Sequence, residues 1–293
     1  AIREGDLTPT QVTVTRSNLG NLPACIASVK QQLHWDEGTR LDLGNGIIRA
    51  KGVACLWKTP NPSFDASAGA VITFNDDGSA NLNVGVVEMG NGGVTCLAEF
   101  LAEALRIPYD KVHVTNRVNT RITPKYWKTV ASLSCYLAGR AVMQAAQDAL
   151  GQLKQNASIA LRLPVEDLEH GQGRIYARHQ PKFAIGYQDL AFGVAMPDGN
   201  SVGAPVIGRG SFVLNHVGPL AKGSGKGKTG HSWTVGAQGV EVEWDAKDDT
   251  YRLVRAVTAM DVGAAVNPAA MVSMLRGGMS MGLSLARDEQ CVY

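Results

Sequence analysis

With 293 residues, 45% of them hydrophobic, the chain is long enough to bury a sizeable core as one large domain or two lobes. Its net charge is only +2 and no run of Lys and Arg exceeds two residues, so nothing marks it for nucleic acid, and its apolar stretches are too short and too broken to span a membrane. The five cysteines (Cys25, Cys55, Cys96, Cys135, Cys291) are scattered without a Cys-x-x-Cys pair, which leaves no thiolate cluster for zinc or iron–sulfur and suits a reducing, cytoplasmic setting.

Asn21 is placed to cap a first helix running to about Trp35, with Leu22, Ile26, Val29 and Leu33 as its apolar stripe. Residues 69–75 and 80–87 alternate as two strands about the turn Asp76-Asp77-Gly78; Ala70, Ile72 and Phe74 share one face, Leu82, Val84 and Val86 that of the partner. A second helix is expected from near Thr95 until Pro108, with Leu97, Leu101, Ala104 and Leu105 inward. A short strand at 112–115, a small-residue loop at 129–134 and a long helix over 136–154 follow, the helix with Leu137, Ala141, Ala145, Ala149 and Leu153 on one face. Residues 155–230 read as irregular, and 222–230 as a flexible run. Residues 234–245 alternate with Val240, Val242 and Trp244 on one face, and Asp248-Asp249 turns the chain into a strand over 250–260. Asn267-Pro268 opens a last helix, whose Gly277, Gly278 and Gly282 predict an interruption and close packing on another backbone. The expected class is α+β (mixed α/β), with a first lobe over 1–150, an irregular connection over 151–230 and a second lobe over 231–293 truncated at its C-terminus.

The richest stretch is 84–107. An apolar strand stops at Glu88, Gly90-Asn91-Gly92-Gly93 turns, and an amphipathic helix begins. Glycines let backbone approach a ligand, and the first N–H groups of a helix suit an anionic or oxygen-rich group. Thr129-Val130-Ala131-Ser132-Leu133-Ser134 forms a second such cradle, hydroxyls and bare N–H groups before a helix, although plain capping by Ser132 or Ser134 would account for it equally. Two cradles together favour one large ligand. Gly225-Lys226-Gly227-Lys228-Thr229 imitates a phosphate-binding P-loop, but the first glycine that motif needs falls at Lys222. Asn156-Ala157-Ser158 matches a glycosylation sequon by chance, and the six histidines include no pair at metal-ligand spacing.

Five stretches in order resemble the molybdenum hydroxylases, the xanthine dehydrogenase and aldehyde oxidase family. They are Arg3-Glu4-Gly5-Asp6 with Pro9-Thr10; Glu88-Met89-Gly90-Asn91-Gly92 with Thr95; Thr129-x-Ala131-Ser132 with Gly139-x-Ala141-Val142; Gly239-Val240-Glu241-Val242-Glu243-x-Asp245; and Asp261-Val262-Gly263 with Asn267-Pro268. The run Pro205-Val206-Ile207-Gly208-Arg209-Gly210 is similar to nicotinate-dehydrogenase-like members.

The resemblance implies the second half of a molybdopterin-binding large subunit. There the protein holds molybdenum through a pterin dithiolene, often as the cytosine dinucleotide form, and supplies no metal ligand of its own. An N-heterocyclic aromatic or an aldehyde is hydroxylated with water as oxygen source, and electrons leave to 2Fe-2S and FAD centres on partner chains. The cofactor-binding residues it implies are Gly90, Asn91 and Gly92 on the metal side and Ala131, Ser132, Leu133 and Ser134 at pterin or phosphate. The sequence departs from the pattern at Asn91 and Met274, where the family carries glutamine, and at Arg276, where an acidic residue is common. The family's glutamate general base falls beyond Tyr293, so no catalytic residue is named. Both ends of the sequence look abrupt. The expectation is therefore a fragment or split subunit that works with another molybdopterin half-subunit, an iron–sulfur subunit and an FAD subunit. The other reading is a non-catalytic scaffold descended from the same family.

Overall fold

The structure is a computed structural model that describes residues 20–58, 65–115, 117–215, 217, 222–223, 230 and 232–292. The Arg3–Thr10 stretch, His216, His231 and the Gly225–Thr229 run lie outside them. The chain divides into two compact units, Ala1–Asn61 with His216–Tyr293, and Pro62–Asn215.

The discontinuous unit opens with helix α1 (Leu22–Gln32), followed by strands β1 (Arg40–Asp42) and β2 (Ile47–Lys58). Asn21 caps α1 as expected, its side chain accepting from the Ala24 N–H at 3.1 Å. The second unit then runs through β3 (Ser67–Phe74), β4 (Ala80–Val84), α2 (Gly93–Leu105), β5 (Val112–Thr115) and α3 (Ser134–Leu161). It continues with β6 (Leu168–Gly171), β7 (Arg174–Ala177), β8 (Gln180–Gly186), α4 (Tyr187–Leu190), β9 (Val194–Ala195), β10 (Ser201–Val202) and β11 (Gly208–Val213). The chain returns to the first unit with β12 (Thr234–Asp245), β13 (Thr250–Asp261) and α5 (Pro268–Arg287).

In the first unit four antiparallel strands lie in the order β1-β2-β12-β13. Cys25, Val29 and Leu33 of the α1 segment pack with Ala237 and Val257. Val240, Val242 and Trp244 do share a face, but the more deeply buried face is the opposite one, Val235, Ala237, Gly239 and Glu241, because α1 lies there. Register then sets charged residues opposite one another across the sheet, Lys51, Glu241 and Arg255 in one row and Arg49, Glu243 and Arg252 in the next. Lys51 Nζ donates to the His34 carbonyl at 2.7 Å, Arg49 Nε donates to Glu243 at 3.1 Å, and Arg255 donates to the Gln32 carbonyl. The hydrogen bond from Arg49, with Arg252 behind it, holds the Glu243 carboxyl below its usual range. Glu241 is only 4% exposed and keeps its charge company on both sides. The acidic pair of the Gly239–Asp245 motif therefore braces the sheet.

In the second unit β11, β3, β4 and β5 form one sheet, with β4 and β5 parallel and α2 as the crossover between them. Ala70, Ile72, Phe74, Leu82, Val84 and Val86 are buried under α2 and α3, which offer Leu97, Leu101, Leu105, Leu137, Ala141, Ala145, Ala149 and Leu153, all buried. Ala104, placed inward by the sequence, is only half-buried. Helix α2 starts two residues before Thr95 and ends at Leu105, where Arg106 takes a left-handed cap (φ 52°) ahead of Pro108. Helix α3 runs on to Leu161 because nothing breaks it before Leu163-Pro164. Its Asn156 is buried and donates to the Leu190 and Ala204 carbonyls, so the sequon side chain is a structural strut.

The segment expected to be irregular holds an antiparallel sheet, β6-β7-β8, and strand β11. The turn Gln172-Gly173, both with positive φ, joins β6 to β7. In the last helix the glycine expectation also fails: α5 is continuous, and nothing among the described residues comes within 4 Å of a Cβ built on Gly277, Gly278 or Gly282. Asn267 does cap it, accepting from the Ala270 N–H at 2.9 Å. Helix α5 has no buried residue, and Met274, Met281 and Leu285 are well exposed. No described helix is long and apolar enough to cross a membrane.

Strand β11 packs on the backbone of α3. A Cβ at Gly210 would meet the Ala141 carbonyl oxygen at 2.1 Å and the Ala145 nitrogen at 2.4 Å. Gly210→Ala must push strand and helix apart, and a loss of about 2 kcal/mol or more in urea unfolding is expected. An unchanged midpoint would contradict this packing.

Candidate functional site

Both sequence-expected cradles lie in the second unit, at the starts of its two long helices. The first follows β4, at the carboxyl end of a parallel strand where α/β sheets present their loops. Gly90 (φ 91°) and Gly92 (φ 70°) bend it in conformations that favour glycine, and Gly92 is the N-cap of α2 without a capping side chain.

The N–H groups that the sequence left for a ligand are engaged. Glu88 folds its carboxylate back over the helix start: Oε1 accepts from Gly90 and Gly92, each at 2.9 Å, and Oε2 from Val94 at 3.1 Å. Burial pushes this carboxyl up, but the backbone N–H groups of Val94, Gly92, Gly90 and Asn91 outweigh it and hold the group below its ordinary value. The sequence motif contains Glu88 without assigning it a role. The signal for its role was its position before a glycine-rich turn, within reach of donors at +2, +4 and +6. Asn91 turns its side-chain carbonyl to the Met89 N–H at 3.3 Å.

The second cradle is different. Ala131 (φ 58°) and Ser132 (φ 57°) are consecutive left-handed residues, a costly arrangement for residues with a Cβ. The N-cap of α3 is Leu133, and no side chain caps it. Capping by Ser132 or Ser134 is thus not what this loop does. Ser134 instead pairs with the Tyr126 hydroxyl at 2.9 Å, and burial pushes the Tyr126 phenol up, so it stays protonated at neutral pH. A helix of 28 residues concentrates partial positive charge at such a start.

The structure brings the two loops together. The Val87 N–H, one residue before Glu88, donates to Thr129 Oγ1 at 3.1 Å. Segment 124–127 runs beside β3, with Gly69 N–H on the Lys125 carbonyl and Trp127 N–H on the Ser67 carbonyl, each at 2.9 Å, and so anchors the second loop to the sheet. In the first turns of the two helices the thiols of Cys96 and Cys135 hydrogen-bond to each other; burial pushes Cys96 up to about 12 and raises Cys135, so both thiols stay protonated at neutral pH. The site is thus a shared ledge: the Thr129–Ser134 loop, at a helix start whose N-cap makes no side-chain cap bond, next to a glycine loop closed by Glu88. No His, Cys, Asp or Glu cluster able to hold a metal occurs among the described residues.

Other features lie elsewhere. A cleft of about 850 Å³ sits between α2 and β6–β7, bordered by Glu99, Glu103, Arg106, Tyr109, Arg174 and Tyr176, and neither loop contributes to it. In the first unit Asp261 accepts from Asn21 N–H (2.9 Å) and Gly263 N–H (3.0 Å), which ties the Asp-x-Gly turn to the start of α1. Met274 lies on α5, 51% exposed.

A βαβ unit with such a loop at its crossover, beside a second long helix packed on the same sheet, defines a mixed α/β fold. Solved structures share it. CO dehydrogenase from Oligotropha carboxidovorans matches with a TM-score of 0.72 at 18% identity, covering 94% of this chain and 34% of that one. Aldehyde oxidoreductase from Desulfovibrio gigas matches with 0.73 at 18% identity, covering 97% and 28%. Among curated proteins, the xanthine dehydrogenase molybdenum-binding subunit of Escherichia coli O157:H7 is 26% identical over 298 residues, and xanthine dehydrogenase/oxidase of Mus musculus is 28% identical over 300. This chain is spanned by 100% and 99% in those matches but accounts for only 37% and 20% of the relatives' lengths. The family model for the molybdopterin cofactor-binding domain matches residues 28–293. The chain belongs to that family, the molybdenum hydroxylases, as the five motifs had implied.

The Glu88 clamp carries a pH signature. Its folded value lies below the ordinary 4.5, so the stability it lends the loop is complete above that value and is lost as pH falls below it. The Gly90, Gly92 and Val94 amide resonances should therefore titrate together, with a midpoint under 4.5, when pH is lowered from about 7 to about 3. Independent midpoints, or one above 4.5, would contradict the clamp.

Proposed function

We propose that this chain forms one wall of a molybdenum-cofactor site. Residues Ala131, Ser132, Leu133 and Ser134 receive the oxygen-rich pterin or phosphate portion, and Gly90, Asn91 and Gly92 lie on the metal side. The observation that carries this reading is the Val87–Thr129 hydrogen bond, which joins the two loops into one ledge beside the uncapped start of α3. The residues fit the group: hydroxyls, main-chain donors and a helix dipole suit an anion, and no protein metal ligand is required of a pterin-held metal. When bound, the group supplies two-electron oxidation of an electron-poor carbon with water as oxygen source. This chain's own part is to bind and orient. The Asn91 amide offers a donor from a fixed turn, Ser132 and the first α3 amides grip the anionic end, and buried Leu133 keeps water from beneath the loop.

The whole assembly then hydroxylates an N-heterocyclic aromatic or an aldehyde. Its electrons pass to 2Fe-2S and FAD partner chains in a cytoplasmic complex with a second molybdopterin half-subunit, and the pterin is the cytosine dinucleotide form. The names of the relatives, a molybdenum-binding subunit among them, support the class of chemistry. The second reading, a non-catalytic scaffold, rests on the shorter amide at Asn91 and on Met274, which cannot donate a hydrogen bond.

The test is molybdenum content by plasma mass spectrometry on native protein with its co-purifying chains, beside Ser132→Asp. Aspartate tolerates the left-handed conformation, so the fold should survive while a negative charge is set against the ligand. About one molybdenum per chain in the wild type and a loss of tenfold or more in the variant are expected. Equal molybdenum in both would refute the site assignment; none in the wild type would favour the scaffold.

A further inference from the structure

We infer that Glu88 is a positioning residue whose carboxylate serves as the built-in anion of the α2 start and fixes Asn91 with its carbonyl on the Met89 N–H and its NH2 group against Gly93. This rests on the reading of the ledge as the cofactor wall and says how its metal-side loop is set. The Gly92 N-cap has no side chain, so the cap comes from four residues earlier in the chain. Both carboxylate oxygens are used, Oε1 by two donors and Oε2 by one. The residue between the clamped amides is Asn91. Its Oδ1 is taken by Met89 N–H, and its Nδ2 lies 3.1 Å from the place a Cβ would occupy on buried Gly93. The amide therefore has one orientation, and a side chain at 93 would disturb it.

The chain itself can be tested by NMR on wild type, Glu88→Gln and Glu88→Ala. In E88Q the Oε1 end still accepts, but an NH2 group faces the Val94 N–H. Val94 amide exchange should accelerate by about tenfold or more while Gly90 and Gly92 stay near wild type. In E88A all three should accelerate, and the nuclear Overhauser contact between the Asn91 side-chain amide protons and Gly93 Hα should vanish, with helical circular dichroism unchanged. Wild-type exchange at all three amides in E88A, or a retained Asn91–Gly93 contact, would overturn the inference. These readouts need no cofactor. Absence of molybdenum from the wild type would thus refute the proposed function and leave the clamp to be decided by exchange alone.

Discussion

The second unit depends on how closely strand β11 lies on helix α3. Gly208 and Gly210 bring the strand onto the helix backbone, and this contact sets the height at which the whole sheet rests. From that height follows the burial of Ala141, Ala145 and Ala149 on the helix and of Ala70 and Ile72 on β3. Small residues on the facing surfaces are what such closeness demands, and dispersion across a gap-free interface is the return. Because α3 is fixed along its length, its first turn is held still without a cap, and the unusual Ala131-Ser132 backbone is carried by the rest of the fold.

The same economy governs charge. In the first unit the acidic residues of β12 are answered by its neighbour strands: Glu241 by Arg49 and Arg255, Glu243 by Arg49 and Arg252. In the second unit the α2 start is answered by Glu88, while Leu133, the N-cap of α3, makes no side-chain cap hydrogen bond. Two helix starts of similar sequence character thus differ in what they can still attract.

Much of this was legible in the sequence. Period and punctuation placed β5, β12, β13 and the α1 and α5 caps to within a residue, since these depend on local rules: Asn21 ahead of an apolar stripe, Asn267 before a proline, alternation from 234, acidic turn residues at 248–249. Non-local choices were not legible. Strands β6–β8 are short and polar, and β11 reads as a glycine loop until α3 is beside it. Which face of β12 is buried depends on where α1 lands, and Gly239 and Glu241 give no hydrophobic signal for it. At the site, the positions of both loops followed from glycines and hydroxyls at strand–helix junctions. Their occupancy did not, because a carboxylate that closes on its own loop looks in sequence like any acidic residue. The glycines of α5 misled on continuity: the helix runs unbroken through Gly277, Gly278 and Gly282.

Helix α5 also changes how the chain should behave as a material. With Met274, Met281 and Leu285 facing water and Arg276 and Arg287 its only charges, it resembles the apolar half of an amphiphile. Attraction between such surfaces strengthens on warming from the cold and in excluded salts such as sulfate, and it weakens when cooled. The colloidal state of this chain is thereby tied to temperature and salt more strongly than its modest net charge would suggest.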